Sequence, residues 1–249
     1  MPPVSYTHLD VYKRQLKRYL ELTADDLNVE YQVHTKQTDG QSTITEILET
    51  AQARGLEAIA FTEHVRKDTT WFPKFAADVR AAAQNYRNLV VYVGCEAKAL
   101  DTAGTLDISD DIRARCDLVL GSVHRFPAEN GGYMDWNQLE NAAFARVEYE
   151  LALGLLQSAR IDVLAHPGGM YERRRNQSFP EAYMRNMMTV SAKTAVAIEI
   201  NSCYLRDVDG FLKLCTEVNP YVSIGSDAHT LESIGQCRDI LRSKKAGRA

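Results

Sequence analysis

The stretch TITEILETAQARGLEAIAFTEH, residues 43–64, holds one full unit of the pattern on which the rest of the chain is built. Ile44, Ile47, Leu48 and Ala51 recur at helical spacing, Ser42 or Thr43 stands where an N-cap is needed, and Glu46 falls in the first turn. Gly55 follows where a helix ends most easily in left-handed backbone. Helical spacing then gives way to a compact apolar run, Ala58 to Phe61, which closes on Thr62, Glu63 and His64. An amphipathic helix that hands over to a short apolar strand with a polar end is the building unit of a parallel α/β sheet, whose two faces are both covered.

Outward from this unit the same alternation predicts strands over 30–35, 58–63, 89–97, 118–124, 162–166, 196–201 and 222–227. Of the helices between them, 137–159 is the clearest, with Leu139, Ala143, Val147, Leu151 and Leu155 spaced by four along one face. No repeat, low-complexity tract or Pro/Ser-rich linker interrupts the run, so residues 16–249 are expected to form one α/β domain. The segment LKRYLELTADD, residues 16–26, predicts a short helix closing one end. Residues 1–15, MPPVSYTHLDVYKRQ, fit neither period and resemble a translated adapter sequence; they are expected to be a non-native leader, and His8 is set aside with them.

Composition narrows the functional classes. With 45% hydrophobic and 25% charged residues, the 249-residue chain lies in the globular range and is long enough for a substantial core. A formal net charge of −4 disfavours a protein that coats nucleic acid or a membrane surface, since either would carry a basic surplus. Five cysteines without a C-x-x-C pair argue against a disulfide framework and against a thiolate zinc knuckle, and fit a reducing cytoplasm. No apolar run is long enough to span a bilayer, and no secretory signal opens the chain.

The histidines carry the chemistry. His34, His64, His124, His166 and His229 each stand at or just past the end of a predicted strand, and none lies in a predicted helix. The carboxyl ends of parallel strands share one face, so these five imidazoles are expected to converge although they are far apart in sequence. Carboxylates accompany them: Asp39 after the first strand, Glu63 beside His64, Glu96 within the third strand, Glu199 within the sixth, and Asp227 two residues before His229. Residues i and i+2 of an extended chain point the same way, so Asp227 with His229, and Gln32 with His34, are expected to share a cavity. Mixed imidazole and carboxylate donors suit zinc, manganese or iron, and their number suggests two or three divalent ions in one site.

Taken in chain order, these motifs resemble the polymerase and histidinol phosphatase (PHP) family from Tyr31 to about Ile234. Gln32-Val33-His34-Thr35 with Asp39-Gly40 resembles the family's H-x-H-T and D-G pair, and AIAFTEH its second motif. Glu96, GSVH with His124, AHPGG with His166, and GSDAH with Asp227 and His229 follow in the family's order. The resemblance implies a distorted seven-stranded (β/α)7 TIM-like barrel that holds up to three metals and hydrolyses phosphate esters. It implies one metal position at Gln32, His34, Glu96 and Asp227, a second at Glu96, His124 and His166, and a third at Asp39, His64 and His229. Gln32 stands where the family has a histidine, and a neutral amide is the poorer ligand.

The implied chemistry is displacement at phosphorus by a metal-activated hydroxide, with Asp227 and His229 at the reacting centre. Arg125 and Arg206 are the preferred phosphate contacts, ahead of Lys98 and of Arg173 to Arg175. Glu63 and Glu199 are expected to orient ligands from behind, or Glu63 to pair with Arg66; Tyr133 and Trp136 are candidates for the pocket wall. Cys95, next to Glu96 in a strand, is expected to face away from the site. The expected substrate is a small phosphate monoester of the histidinol phosphate kind. The alternatives are a nucleotide phosphodiesterase or exonuclease, and a barrel with weakened chemistry that serves for binding.

Overall fold

The computed structural model describes residues 16–128, 131–158 and 160–246; the expectation of a leader over 1–15 lies outside the described residues. Eight strands form one sheet: β1 (Lys17–Arg18), β2 (Val29–Val33), β3 (Ala58–Val65), β4 (Val90–Lys98), β5 (Leu118–Ser122), β6 (Val163–Leu164), β7 (Ala197–Asn201) and β8 (Tyr221–Gly225). Their order is β1-β8-β7-β6-β5-β4-β3-β2. From β2 to β8 every pairing is parallel and follows chain order, as the alternation predicts.

The expected count of seven strands is corrected by β1, which pairs antiparallel with β8 through Lys17 to Val222 and Arg18 to Tyr221. It lies where the sequence pattern predicts a short helix, which forms only as the 3-10 turns Tyr19–Glu21 and Asp25–Leu27 that follow the strand. A segment this short cannot overcome helix nucleation alone, whereas the free edge of β8 offers it backbone partners. Arg18 secures the strand, its guanidinium donating to the carbonyls of Asn219 and Ala192 at 3.0 Å each and lying over the Tyr221 ring. At the other edge β2 reaches the chain just beyond β8: His34 N donates to Ala228 O at 2.9 Å and Ala228 N to Gln32 O at 3.0 Å.

The helices are α1 (Ile44–Ala53), α2 (Phe72–Ala83), α3 (Asp110–Arg115), α4 (Asn141–Ser158), α5 (Gly169–Arg175), α6 (Glu181–Thr194), α7 (Val208–Val218) and α8 (Gln236–Ala246). α1 forms as its sequence dictates. Thr43 Oγ1 accepts from Glu46 N, Glu46 accepts in return from Thr43 N at 2.7 Å, and Gly55 leaves the helix at φ +67°. α4 starts later than expected because Trp136–Gln138 forms a separate 3-10 turn, with Asp135 accepting from Asn137 N at 3.0 Å. Its buried face also differs from the predicted stripe. Phe144, Glu148, Leu151, Ala152 and Leu155 point inward, while Ala143 and Val147 are only half-buried and Leu139 precedes the helix.

The alternation of strand side chains splits the apolar interior into two clusters. Ile59, Phe61, Val93, Cys95 and Val119 pack outward against the helices, whereas Ala58, Ala60, Tyr31, Tyr92, Leu118, Leu120, Val163 and Ala197 fill the concave side. Small alanines beside Tyr31 and Tyr92, whose rings meet edge-on at 6.2 Å, fit the tight inner face of a strongly curved sheet. Cys95 thus faces the helices, away from Glu96, as expected. Among the described residues no helix is long and apolar enough to cross a membrane.

Candidate metal centre

All five histidines and the carboxylates Asp39, Glu96 and Asp227 come together at the carboxyl ends of the parallel strands. Glu96, fully buried in β4, is the centre of the group. Its Oε1 lies 2.8 Å from His166 Nε2 and 3.2 Å from His124 Nε2, and its Oε2 lies 3.1 Å from His64 Nδ1 and 3.5 Å from His34 Nε2. Each carboxylate oxygen therefore faces its own pair of imidazoles, the arrangement of a carboxylate that bridges two ions. On one side His34 Nε2 stands 3.0 Å from Asp227 Oδ1. On the rim, Asp39 Oδ2 lies 3.4 Å from His64 Nε2 and 3.3 Å from His229 Nε2.

Among the histidines, cysteines and carboxylates of the described residues, three sets of donor atoms each fall within 4.8 Å of one another: His34, Asp39, His64 and His229; His64, Glu96 and His124; and His34, Glu96 and Asp227. The last matches the expected first grouping without Gln32, and the first contains the expected third. His64 is shared between the rim and Glu96, which the sequence does not indicate. His166, placed by expectation in the second grouping, is in none of the three sets but lies 2.8 Å from Glu96 Oε1 and 3.3 Å from His124 Nε2.

The donors fit divalent ions. Among the described residues His34 Nδ1 and Nε2, Glu96 Oε2 and Asp227 Oδ1 are buried and face one another or a neighbouring imidazole without a well-formed hydrogen bond, a costly state for polar atoms that a shared cation would relieve. The rings also stack, His34 with His64 at 4.4 Å and with His229 at 4.5 Å, which suits neutral ligand imidazoles better than charged ones. Proton and metal compete for these positions. Burial alone would push His64 and His166 down, yet the facing carboxylates, Glu96 foremost, hold both up at about 9. In return, Glu96 stays well below the usual carboxylate range despite complete burial, held there by His124 and His64. Burial opposes the same shift at Asp227, which His34 holds down.

Other buried carboxylates hold the segments that carry the ligands. Glu63 accepts from Thr35 N at 2.7 Å and from the Thr38 hydroxyl, so it ties down the loop bearing Asp39 and does not pair with Arg66. Glu199 accepts from His166 N at 2.8 Å and so steadies a residue held at φ +30°. Glu30 accepts from Ser226 N at 2.7 Å, next to Asp227 at φ +48°, and from Gly235 N at 2.8 Å. Glu148 caps the start of α5, accepting from Met170 N at 3.0 Å and Tyr171 N at 2.7 Å. Burial raises Glu199 and Glu148 to about 8 and Glu30 to about 7. Sequence reasoning missed Glu30 and Glu148; a glutamate within an otherwise inward apolar stripe was the only available signal.

Gln32 Oε1 accepts from Asn201 Nδ2 at 3.0 Å on the floor of the site, while its Nε2 is buried without a hydrogen-bond partner among the described residues. The amide is already engaged with Asn201, which also donates to Glu199 Oε2 at 3.0 Å.

Above the donors opens a cavity of about 810 Å³, with Arg66, Lys98, Arg125, Arg173, Arg174, Trp136 and Tyr204 in its wall. Arg206, expected at the phosphate, is exposed and lies outside this lining; its backbone N–H is bound to Glu172. The turn after β7 directs Tyr204 inward instead, where its ring stacks on His166 at 4.5 Å and its hydroxyl accepts from Arg173 Nη1 at 3.3 Å. Trp136 lines the cavity as expected, whereas Tyr133 is outside the lining.

Comparison with known proteins agrees with this arrangement. The family model described as PHP domain matches residues 30–203. A protein named "Probable phosphatase" from Caldicellulosiruptor bescii is 26% identical over 219 residues, covering 85% of this chain and 83% of that one. The DNA polymerase/3'-5' exonuclease PolX of Bacillus subtilis is 26% identical over 224 residues, covering 86% of this chain and 36% of that one. Among solved structures, histidinol phosphate phosphatase from Lactococcus lactis, complexed with zinc, L-histidinol and phosphate, aligns with a TM-score of 0.69 at 18% identity, covering 88% of this chain and 93% of that one. At that identity the likeness is one of fold.

Proposed function

This chain belongs to the PHP domain family, and we propose that it hydrolyses small phosphate monoesters. It is a PHP-type metal-dependent phosphoesterase; the monoester substrate is the inference. The observation that carries it is Glu96, one carboxylate set among four imidazoles below a cavity sized for a small molecule. In this proposal the scaffold is a distorted barrel, a reading supported by the backbone bonds between the end of β2 and Ala228, just beyond β8.

In this proposal His34, Glu96 and Asp227 hold one ion, Glu96, His124 and His166 a second, and Asp39, His64 and His229 a third, with zinc, manganese and iron the metals that suit these donors. Ions so held supply Lewis acidity at the phosphoryl oxygens and lower the pKa of water. The chain's own groups do the rest. His229 Nδ1 donates to Asp227 O at 2.8 Å, which leaves the Nε2 lone pair directed toward Asp39 and the rim. Asp227, kept ionised by the facing His34, also serves in this proposal as acceptor for the proton of the attacking water. Arg173, oriented by Tyr204, contacts a phosphoryl oxygen.

Metal analysis of the purified protein, paired with hydrolysis of phenyl phosphate, histidinol phosphate and bis-p-nitrophenyl phosphate, tests the proposal. Bound metal with monoester hydrolysis is the expected result. Diester cleavage without monoester cleavage would replace it with the exonuclease-type alternative, and bound metal with neither activity would leave a binding barrel.

A further inference from the structure

We propose that the substrate's leaving group carries a second anion, a carboxylate or a second phosphate, seated against Arg125 and Arg174 beside Trp136. The proposal rests on the monoesterase reading and goes beyond it by naming the substrate class.

The cavity has two walls of opposite character. Its acidic lining residues, Asp39, Glu96 and Asp227, all belong to the metal centre, whereas the rest of the wall carries Arg66, Lys98, Arg125, Arg173 and Arg174. Among the described residues only Lys98 of these cations has a carboxylate partner, Asp107 at 3.1 Å. Among the described residues the cavity therefore offers a cationic leaving group no acidic partner outside the metal centre, and presents it with charge of its own sign.

Arg125 and Arg174 are placed more specifically than solvated loop charges. Their guanidinium carbons lie 5.0 and 4.6 Å from the centroid of the same Trp136 indole. They come from different segments, Arg125 just after the ligand His124 and Arg174 in α5. Trp136 is itself anchored, its carbonyl accepting from Arg175 Nη2 at 2.6 Å. Cation–π attraction draws both guanidiniums to one ring, and two like charges gathered in one cavity wall repel each other unless an anion offsets them. Each planar donor fork suits the paired oxygens of a carboxylate or phosphate, and both residues line the same cavity. One cavity thus joins a site for the scissile phosphate to a second anion site.

The test is a matched set of monoesters assayed with the metal-loaded enzyme: glycerol 3-phosphate with a neutral leaving group, ethanolamine phosphate with a cationic one, 3-phosphoglycerate with a carboxylate, and propane-1,3-diol bisphosphate with a second phosphate. The expected kcat/KM for at least one of the two anionic substrates exceeds that for glycerol 3-phosphate by about tenfold or more. Which of the two is preferred identifies the anion. Arg174→Gln and Arg125→Gln should each collapse this ratio, chiefly through KM. If the neutral or cationic ester is used as well as the anionic ones, or if both variants fold by melting curve and keep the ratio, the second-anion site is overturned and the monoesterase reading stands. Hydrolysis of none of the four overturns the monoesterase reading, and the proposal with it.

Discussion

Replacing Glu148 by glutamine should flatten a pH dependence of stability that the wild-type chain carries. Glu148 is 2% exposed on the inward face of α4, and its carboxylate receives the first N–H groups of α5. Two effects compete there. Desolvation favours the neutral acid, while the two N–H donors and the positive end of α5 favour the anion. Burial dominates, so the group rises from 4.5 to about 8. Because the folded-state pKa is the higher one, its contribution is fully present below the unfolded value and is lost as pH rises through the folded one. Over that window the loss amounts to at most about 5 kcal/mol, since a tenfold change in a proton-binding constant corresponds to about 1.4 kcal/mol. The glutamine side chain of the Glu148→Gln variant cannot ionise, but its amide supplies only one acceptor for two N–H groups, a penalty of about 1–3 kcal/mol at every pH. Urea denaturation of both proteins from about pH 5 to about pH 8.5 gives the difference curve, in which titrations common to both cancel. The variant should be the less stable protein at the acid end and gain on the wild type by several kcal/mol toward the alkaline end. A difference constant to within about 0.5 kcal/mol would show that Glu148 stays ionised throughout and that the start of α5 outweighs burial.

Glu63→Gln should loosen the Asp39 loop and lower kcat/KM by about 10–100-fold, with weaker metal binding in a competition titration, because it removes a charged acceptor from Thr35 N and Thr38. Glu96→Gln should reduce the metal content of the purified protein by elemental analysis, since one carboxylate faces four imidazoles; full occupancy would refute the bridging role. Chelation of the wild type should lower its Tm, and added zinc or manganese should restore it. Gly154→Ala should destabilise the chain by about 3 kcal/mol, about 10 °C in Tm, because the new Cβ would overlap the Thr102 carbonyl where α4 crosses that loop.

The strands and the donor cluster are legible in the sequence for one reason. A parallel strand is apolar on both faces and becomes polar where it reaches the site, so AIAFTEH or a run ending in GSVH marks both a strand and a ligand. That signal fails where structure depends on partners distant in sequence. β1 is two residues long and exists because β8 has a free edge, which nothing within residues 16–26 records. The phase of α4 is hidden for a related reason. Counting apolar residues alone selects Leu139, Ala143 and Val147, while the true inward face includes Glu148, whose charge looks solvated until α5 is placed against it. Nearness to a strand end favours Arg206 over Arg173 and Arg174, but the turn after β7 sends Tyr204 inward and leaves Arg206 outside.

Buried glutamates explain how a site made of loop ends stays in register. His166 and Asp227 both sit at positive φ, a conformation that costs about 1–3 kcal/mol at a residue other than glycine. Each lies beside a carboxylate that grips the local backbone: Glu199 on His166 N, and Glu30 on Ser226 N. Such a bond offsets part of the strain and fixes the direction in which the imidazole or carboxylate leaves the chain. Gln32 fits the same logic. Its amide joins Asn201 and Glu199 in a neutral and acidic floor beneath the donors. In the proposed centre Glu96 shares one donor set with His34 and Asp227 and another with His64 and His124, which makes that carboxylate the point at which the centre is expected to be most sensitive to substitution.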